Sequence, residues 1–294
     1  MAELRVFVSG GIFFEAPRWH QGSWWVSDFY THRVSRISPD GDAETIVEVQ
    51  AQPSGLGWLP DGSLVISSMR DQRVLRFADG QLSVLADVSA HCGGYLNDLV
   101  VDKAGNIFVG DFGYDFNGGG QPRSTSLKRV SRDGLVTVVA EHLQFPNGSV
   151  ITPDGANLIV GETFGNRYTA WDLSAEGELS NRRVWARFGP DLDFDDANWP
   201  QQMALAPDGC AIDAGGHLWV ADAIGGRAVR VAPGGAIVDE VHAPEGLGVF
   251  ACALGGPSGH TLLLCAVPPV GNLDSNSPRD AVLLTTDVAV PAPG

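Results

Sequence analysis

Glu15, Asn97, Asn147 and Asp208 offer carboxylate or carboxamide oxygens, and each opens a short apolar run followed by a tight turn. Ser54 stands at the same place in a fifth run, and none of the five positions carries Lys or Arg. If the chain folds so that these positions converge, the result is a cluster of oxygen donors with a net charge of about −2. Such a cluster suits a hard divalent cation, which would relieve the repulsion between its carboxylates. The competing reading is a polar, water-filled channel whose donors satisfy one another.

Whether the donors converge depends on the elements that carry them. SGLGWLPDGSLVISS, NDLVVDKAGNIFVGD, NGSVITPDGANLIVGE and DGCAIDAGGHLWVAD share one frame: a small or polar start, an apolar strand, a Gly-containing turn and a second strand. EAPRWHQGSWWVSD fits the same frame, and ACALGGPSGHTLLLCAV is a weaker sixth copy. A second signature, RVSRI, RVLRF, KRV or RAVRV, follows four of the copies. Positions 15, 54, 97, 147 and 208 are separated by 39, 43, 50 and 61 residues. Four-stranded units recurring at roughly 40–50 residues predict a propeller, because one small sheet cannot bury both its faces alone. The expected fold is therefore all-β: one six-bladed β-propeller domain over residues 1–294, with four antiparallel strands per blade. Pairing of Leu4–Gly10 with Ala281–Val288 would close the ring and remove its open edges. The innermost strands would then bring the five positions to one mouth of the central channel.

The alignment also sorts the remaining acidic residues. Asp61, Asp154 and Asp213 fall in the turns between first and second strands and read as turn formers. The second strands should end at Asp28, Ser68, Asp111, Glu162 and Asp222, so the loops after them overhang the donors. The longest of these loops, after Asp111, brings Phe112 and Tyr114. The connection into the Asp208 strand brings Trp199.

The formal charge of −16 over 294 residues argues against nucleic acid or anionic membranes as partners. The N-terminus lacks a basic and apolar leader pattern, and the four cysteines show no paired metal-binding spacing. A cytoplasmic protein, monomeric or a small homo-oligomer, acting on a small molecule, is expected. There is no G-x-S-x-G elbow and no phosphate-binding loop.

The Glu15-Ala-Pro-Arg-Trp entry, Asn97-Asp98, Pro146-Asn147-Gly148 and Pro207-Asp208-Gly209 followed by CAIDAGGHLWVA resemble the senescence-marker-protein/regucalcin/gluconolactonase family of six-bladed propellers. The resemblance implies that Glu15, Asn147 and Asp208 bind one divalent metal, with Asn97 holding substrate or a metal-bound water. It further implies that Asp208 acts as general base. Ca²⁺ is the first expectation for an all-oxygen donor set, with Mg²⁺, Mn²⁺ or Zn²⁺ as alternatives. The implied activity is hydrolysis of a cyclic ester. The alternatives are another metal-assisted hydrolase or lyase, such as a phosphotriesterase-like enzyme, and a non-catalytic metal-binding propeller. Two departures stand out: Tyr95 occupies the place of an Arg in the sugar-lactonase pattern, and Leu99 that of a Gly. With Phe112, Tyr114 and Trp199, Tyr95 gives a substrate-binding mouth expected to prefer a larger or more apolar lactone over gluconolactone.

Overall fold

The computed structural model describes residues 3–268 and 273–294. It contains six four-stranded antiparallel sheets, the blades of a six-bladed β-propeller. Among the described residues the only helical segments are two short 3₁₀ turns, Ser89–His91 and Trp199–Gln202. No helix in this set is long and apolar enough to cross a membrane. The chain divides into two compact units, Ser54–Pro207 and the discontinuous pair Met1–Pro53 with Asp208–Gly294.

Three sheets account for the continuous unit. The first runs through Pro53–Trp58, Leu64–Ser68, Arg73–Ala78 and Gln81–Asp87. The second uses Leu96–Val101, Ile107–Asp111, Thr125–Val130 and Val136–Leu143. The third uses Pro146–Ile151, Asn157–Glu162, Arg167–Leu173 and Leu179–Arg187. In every sheet the second strand is the most buried and the fourth the most exposed, so the sequence grades from unbroken apolar runs to mixed ones.

The discontinuous unit holds the other three sheets. Phe14–His20, Ser23–Asp28, Arg33–Ile37 and Ala43–Glu48 form one, and Pro207–Ile212, Leu218–Asp222, Arg227–Val231 and Ile237–His242 another. The last sheet takes Gly248–Gly255, Thr261–Val267 and Ala281–Asp287, then Arg5–Gly11 from the other end of the chain. The pairing runs from Arg5 opposite Thr285 to Gly11 opposite Ala281, so the expected closure is present. Its core packs Phe14, Trp24 and Val26 against Ala251, Leu263, Cys265 and Leu283.

The second strands end where expected, at Asp28, Ser68, Asp111, Glu162 and Asp222. The turn assignments also hold. Asp61 Oδ1 accepts from Ser63 N at 2.9 Å and Asp154 Oδ1 from Ala156 N at 3.0 Å, while Gly62 and Gly155 take the positive φ those turns require. Hydrogen bonds from Ser63 hold the Asp61 carboxyl down at about 2. All four cysteines are free thiols.

Candidate active site

In three blades the strand register breaks beside the expected donor position. The register slips between Glu15 and Arg18, between Leu96 and Leu99, and between Pro146 and Ser149. A bulge places two residues opposite one and turns a side chain off the strand's alternation. Glu15, Asn97 and Asn147 all fall at these bulges, so three blades use one backbone device at the expected donor position.

Glu15 and Asp208 belong to the discontinuous unit and are 5% and 8% exposed. Glu15 Oε2 accepts from Ala16 N at 2.7 Å. Both carboxylates lie within electrostatic reach of one core thiol: burial pushes the Cys265 thiol well up, and the negative charges of Glu15 and Asp208 add in the same direction. Close packing needs the small residue after Asp208, since a Cβ on Gly209 would come within 2.6 Å of the Ala251 side chain.

Asn97 and Asn147 belong to the continuous unit and are likewise buried. Asn97 Nδ2 donates to Pro146 O at 3.1 Å, and Asn147 Nδ2 donates to Thr163 Oγ1 at 3.2 Å. Thr163 Oγ1 in turn donates to Pro207 O at 2.7 Å, and Ser67 Oγ donates to Asn97 O at 2.7 Å. Tethering both amide nitrogens to protein acceptors fixes which end of each carboxamide is the donor end and turns the oxygens away from those partners.

The discontinuous unit thus carries two buried carboxylates and the continuous unit two buried carboxamides, and each of the four offers oxygen, the donor atom that Ca²⁺ or Mg²⁺ takes. Among the described residues no group of three or more His, Cys, Asp or Glu is arranged to hold a metal. The four residues offer only carboxylate and carboxamide oxygens, the donor chemistry that suits a hard cation rather than a thiolate or imidazole site. Asp98, named from the sequence as part of the Asn97-Asp98 motif but given no role, is a further buried carboxylate at the Asn97 bulge, and its Oδ1 accepts from Leu99 N at 2.8 Å. The contact repeats the one between Glu15 and Ala16.

A second layer of carboxylates holds the loops that lead into the bulges. Asp28 accepts from Ile12 N and Phe13 N at 2.9 and 3.1 Å, and Glu162 Oε2 accepts from Gln144 N at 2.8 Å. Asp111 is the most heavily used: Gly93 N, Gly94 N and Gly113 N donate to Oδ1 at 3.1, 3.2 and 2.7 Å. Thr125 Oγ1 donates to its Oδ2 at 2.7 Å, and Lys128 Nζ pairs with the same oxygen, both charged side chains being 0% exposed. Gly93 and Gly94 lead directly to Tyr95. A Cβ on Gly93 would stand 2.1 Å from Gly113 O, so only glycine lets the two backbones meet.

The expected substrate-facing aromatics join into one row within the continuous unit. Tyr95 lies 6.1 Å from Phe112, and Phe112 stacks on Phe145 at 4.4 Å. Phe145 contacts Phe164 at 4.8 Å, and Phe164 meets Trp199 at 5.2 Å. Tyr114 is buried against Phe116, Phe145 and Phe164, and burial raises its phenol pKa. Phe145 and Phe164 were not singled out from the sequence. The signal for Phe145 was its place two residues ahead of Asn147, matching Tyr95 ahead of Asn97 and Phe13 ahead of Glu15.

The SMP-30/Gluconolactonase/LRE-like region family matches residues 13–267. A pentonolactonase from Haloferax volcanii is 30% identical over 247 residues, 83% of this chain and 77% of that protein. A 6-deoxy-6-sulfogluconolactonase from Pseudomonas putida is 25% identical over 237 residues, covering 78% and 75%. The solved structure of a calcium-binding regucalcin from Agrobacterium tumefaciens superposes with a TM-score of 0.79 at 19% identity, over 99% of this chain and 95% of that one. The buried oxygen donors at the repeat position thus lie on a chain that belongs to the SMP-30/gluconolactonase/LRE-like family, among whose members are named lactonases.

Proposed function

We propose that this protein is a metal-dependent lactonase in which Glu15, Asn147 and Asp208 hold one divalent ion, Ca²⁺ in the first instance. The observation that carries the reading is the recurrence of a buried oxygen donor at one repeat position, at a bulge for Glu15, Asn97 and Asn147 and buried likewise for Asp208. The lactonases among its relatives support the choice of reaction. A bound divalent ion supplies Lewis acidity toward an ester carbonyl.

The chain's own groups do the rest. The Asp208 carboxylate takes the proton of the attacking water as the water oxygen bonds to the carbonyl carbon. That proton then passes to the ring oxygen as its bond to the carbonyl carbon breaks, giving the open hydroxy acid. Asn97 spends one amide hydrogen on Pro146 O, and the other is assigned to the oxygen on which charge develops. Tyr95, Phe112, Tyr114 and Trp199 bound the substrate on the side of the asparagines.

The test is a panel of γ- and δ-lactones turned over by chelator-stripped protein and by protein reloaded with Ca²⁺, Mg²⁺, Mn²⁺ or Zn²⁺. Activity should vanish on stripping and return on reloading, and the bound ion should raise the melting temperature by mass action. Tyr95→Ala should change the order of preferred lactones while ion content stays at the parental level. Parental turnover and ion content in Asp208→Ala would refute the assignment.

A further inference from the structure

We propose that the aromatic row of the continuous unit is a specificity-determining subsite for a flat aryl substituent on the cyclic ester, an inference that rests on the lactonase reading above. Tyr114 and Phe145 are buried within the row, while Phe116 lies at its edge against Tyr114 and Phe164, at 6.0 and 6.4 Å. Phe112 and Phe145 stack with an interplanar angle of 17°. Phe116 stands nearly perpendicular to both, at 79° to Phe112 and 71° to Phe145, with centroids 5.9 and 5.8 Å away. Phe116 is also 49% exposed, a large apolar ring left half in water beside a row of other rings. Two ring planes meeting at right angles are complementary to a planar ligand ring, which can stack on one and meet the other edge-on.

Placement points the same way. Tyr95 and Phe145 each stand two residues ahead of a buried asparagine, so the row begins beside Asn97 and Asn147. Arg70 lies over the Tyr95 ring at 5.7 Å and closes that end. The Asp111 clamp and the Gly93–Gly113 backbone contact fix the loops that carry the rings, so little ordering entropy opposes binding. A polyhydroxylated ring in this corner would lose water from hydroxyls that the phenylalanine faces cannot satisfy.

The experiment compares γ-phenyl-γ-butyrolactone with γ-butyrolactone, which share one leaving-group class, in the parent and in Phe116→Ala. The parent should favour the phenyl lactone in kcat/KM by about tenfold, and the preference should fall roughly 2- to 12-fold in the variant. Phe116 is half-exposed, so its removal should cost the fold less than removal of a buried ring, and an unchanged melting temperature checks this. Equal kcat/KM for the two lactones in the parent, or a preference unchanged in Phe116→Ala, would overturn the subsite. In parallel, calorimetry with 5-phenyl-2-pyrrolidinone and 2-pyrrolidinone, which are not hydrolysed, reads the same preference as affinity. If no lactone is turned over the hydrolase reading fails. A phenyl preference in the lactam pair that disappears in Phe116→Ala then still supports the subsite, and equal lactam affinities overturn it.

Discussion

Replacing Asp111 with Ala would strip a buried carboxylate of five donors at once. Lys128 is fully buried beside it, with Ser126 O at 2.9 Å as a further acceptor. Removing one partner of a buried ion pair costs about 3–5 kcal/mol, because the remaining charge is left uncompensated. Gly93, Gly94 and Gly113 N–H groups lose their acceptor as well, which moves the expectation toward the upper end of that range. At about 2–3 °C per kcal/mol for a chain of this size, the melting temperature should drop by about 6–15 °C. Calorimetric unfolding reads this directly. The cause is separated from simple loss of packing by Asp111→Ala combined with Lys128→Met, which removes both charges and should recover at least half of the lost stability. An Asp111→Ala protein within 1 kcal/mol of the parent would refute the reasoning, as would a double variant no more stable than the single one. Because Gly93 and Gly94 lead into Tyr95, the single variant should also lose discrimination among lactones before it loses its fold.

Deleting residues 1–10 removes most of the strand that pairs with Ala281–Asp287 and exposes a long sheet edge; the product should aggregate or fail to fold, and a monomeric, cooperatively melting deletion would contradict the closure. Burial pushes the Cys252 and Cys265 thiols well above their ordinary range and Cys92 up to about 12. At pH 8 these thiols are held protonated in the folded protein, so a thiol reagent should titrate them only after unfolding, and prompt reaction of two or more in native protein would show the burial to be wrong.

The repeat made the blades legible because their turn chemistry is local: the PDG and AGG triplets and the polar residue ending five of the six second strands can be read directly. The closing strand followed from the need to cover an edge. The bulges were not legible. An extra residue at Glu15, Asn97 or Asn147 leaves no mark in a six- or seven-residue strand, since two residues opposite one look like ordinary alternation. The donor types and positions could be read, yet the tethering of the Asn97 and Asn147 amides could not, because Pro146 and Thr163 reach them only through the fold. Asp98 was visible in the Asn97-Asp98 motif, but its burial and its bond to Leu99 N were not, for the same reason. Phe145 and Phe164 join the aromatic row through Phe112 and Trp199, which come from other loops, and no local period reports such contacts.

The division of the chain has a consequence for the order in which it is made. Ser54–Pro207 is continuous and carries three complete sheets, whereas its companion unit is assembled from Met1–Pro53 and Asp208–Gly294. On a ribosome the continuous unit can acquire its structure while the remainder is still being translated. The amino-terminal strand Arg5–Gly11 must wait for Ala281–Asp287. At ~5–20 residues per second, residues 208–294 take roughly 4–17 s to appear. Throughout that interval the nascent polypeptide carries an unpaired amino-terminal strand with the apolar run Val6-Phe7-Val8, an edge that stays open to other strands until the last one arrives.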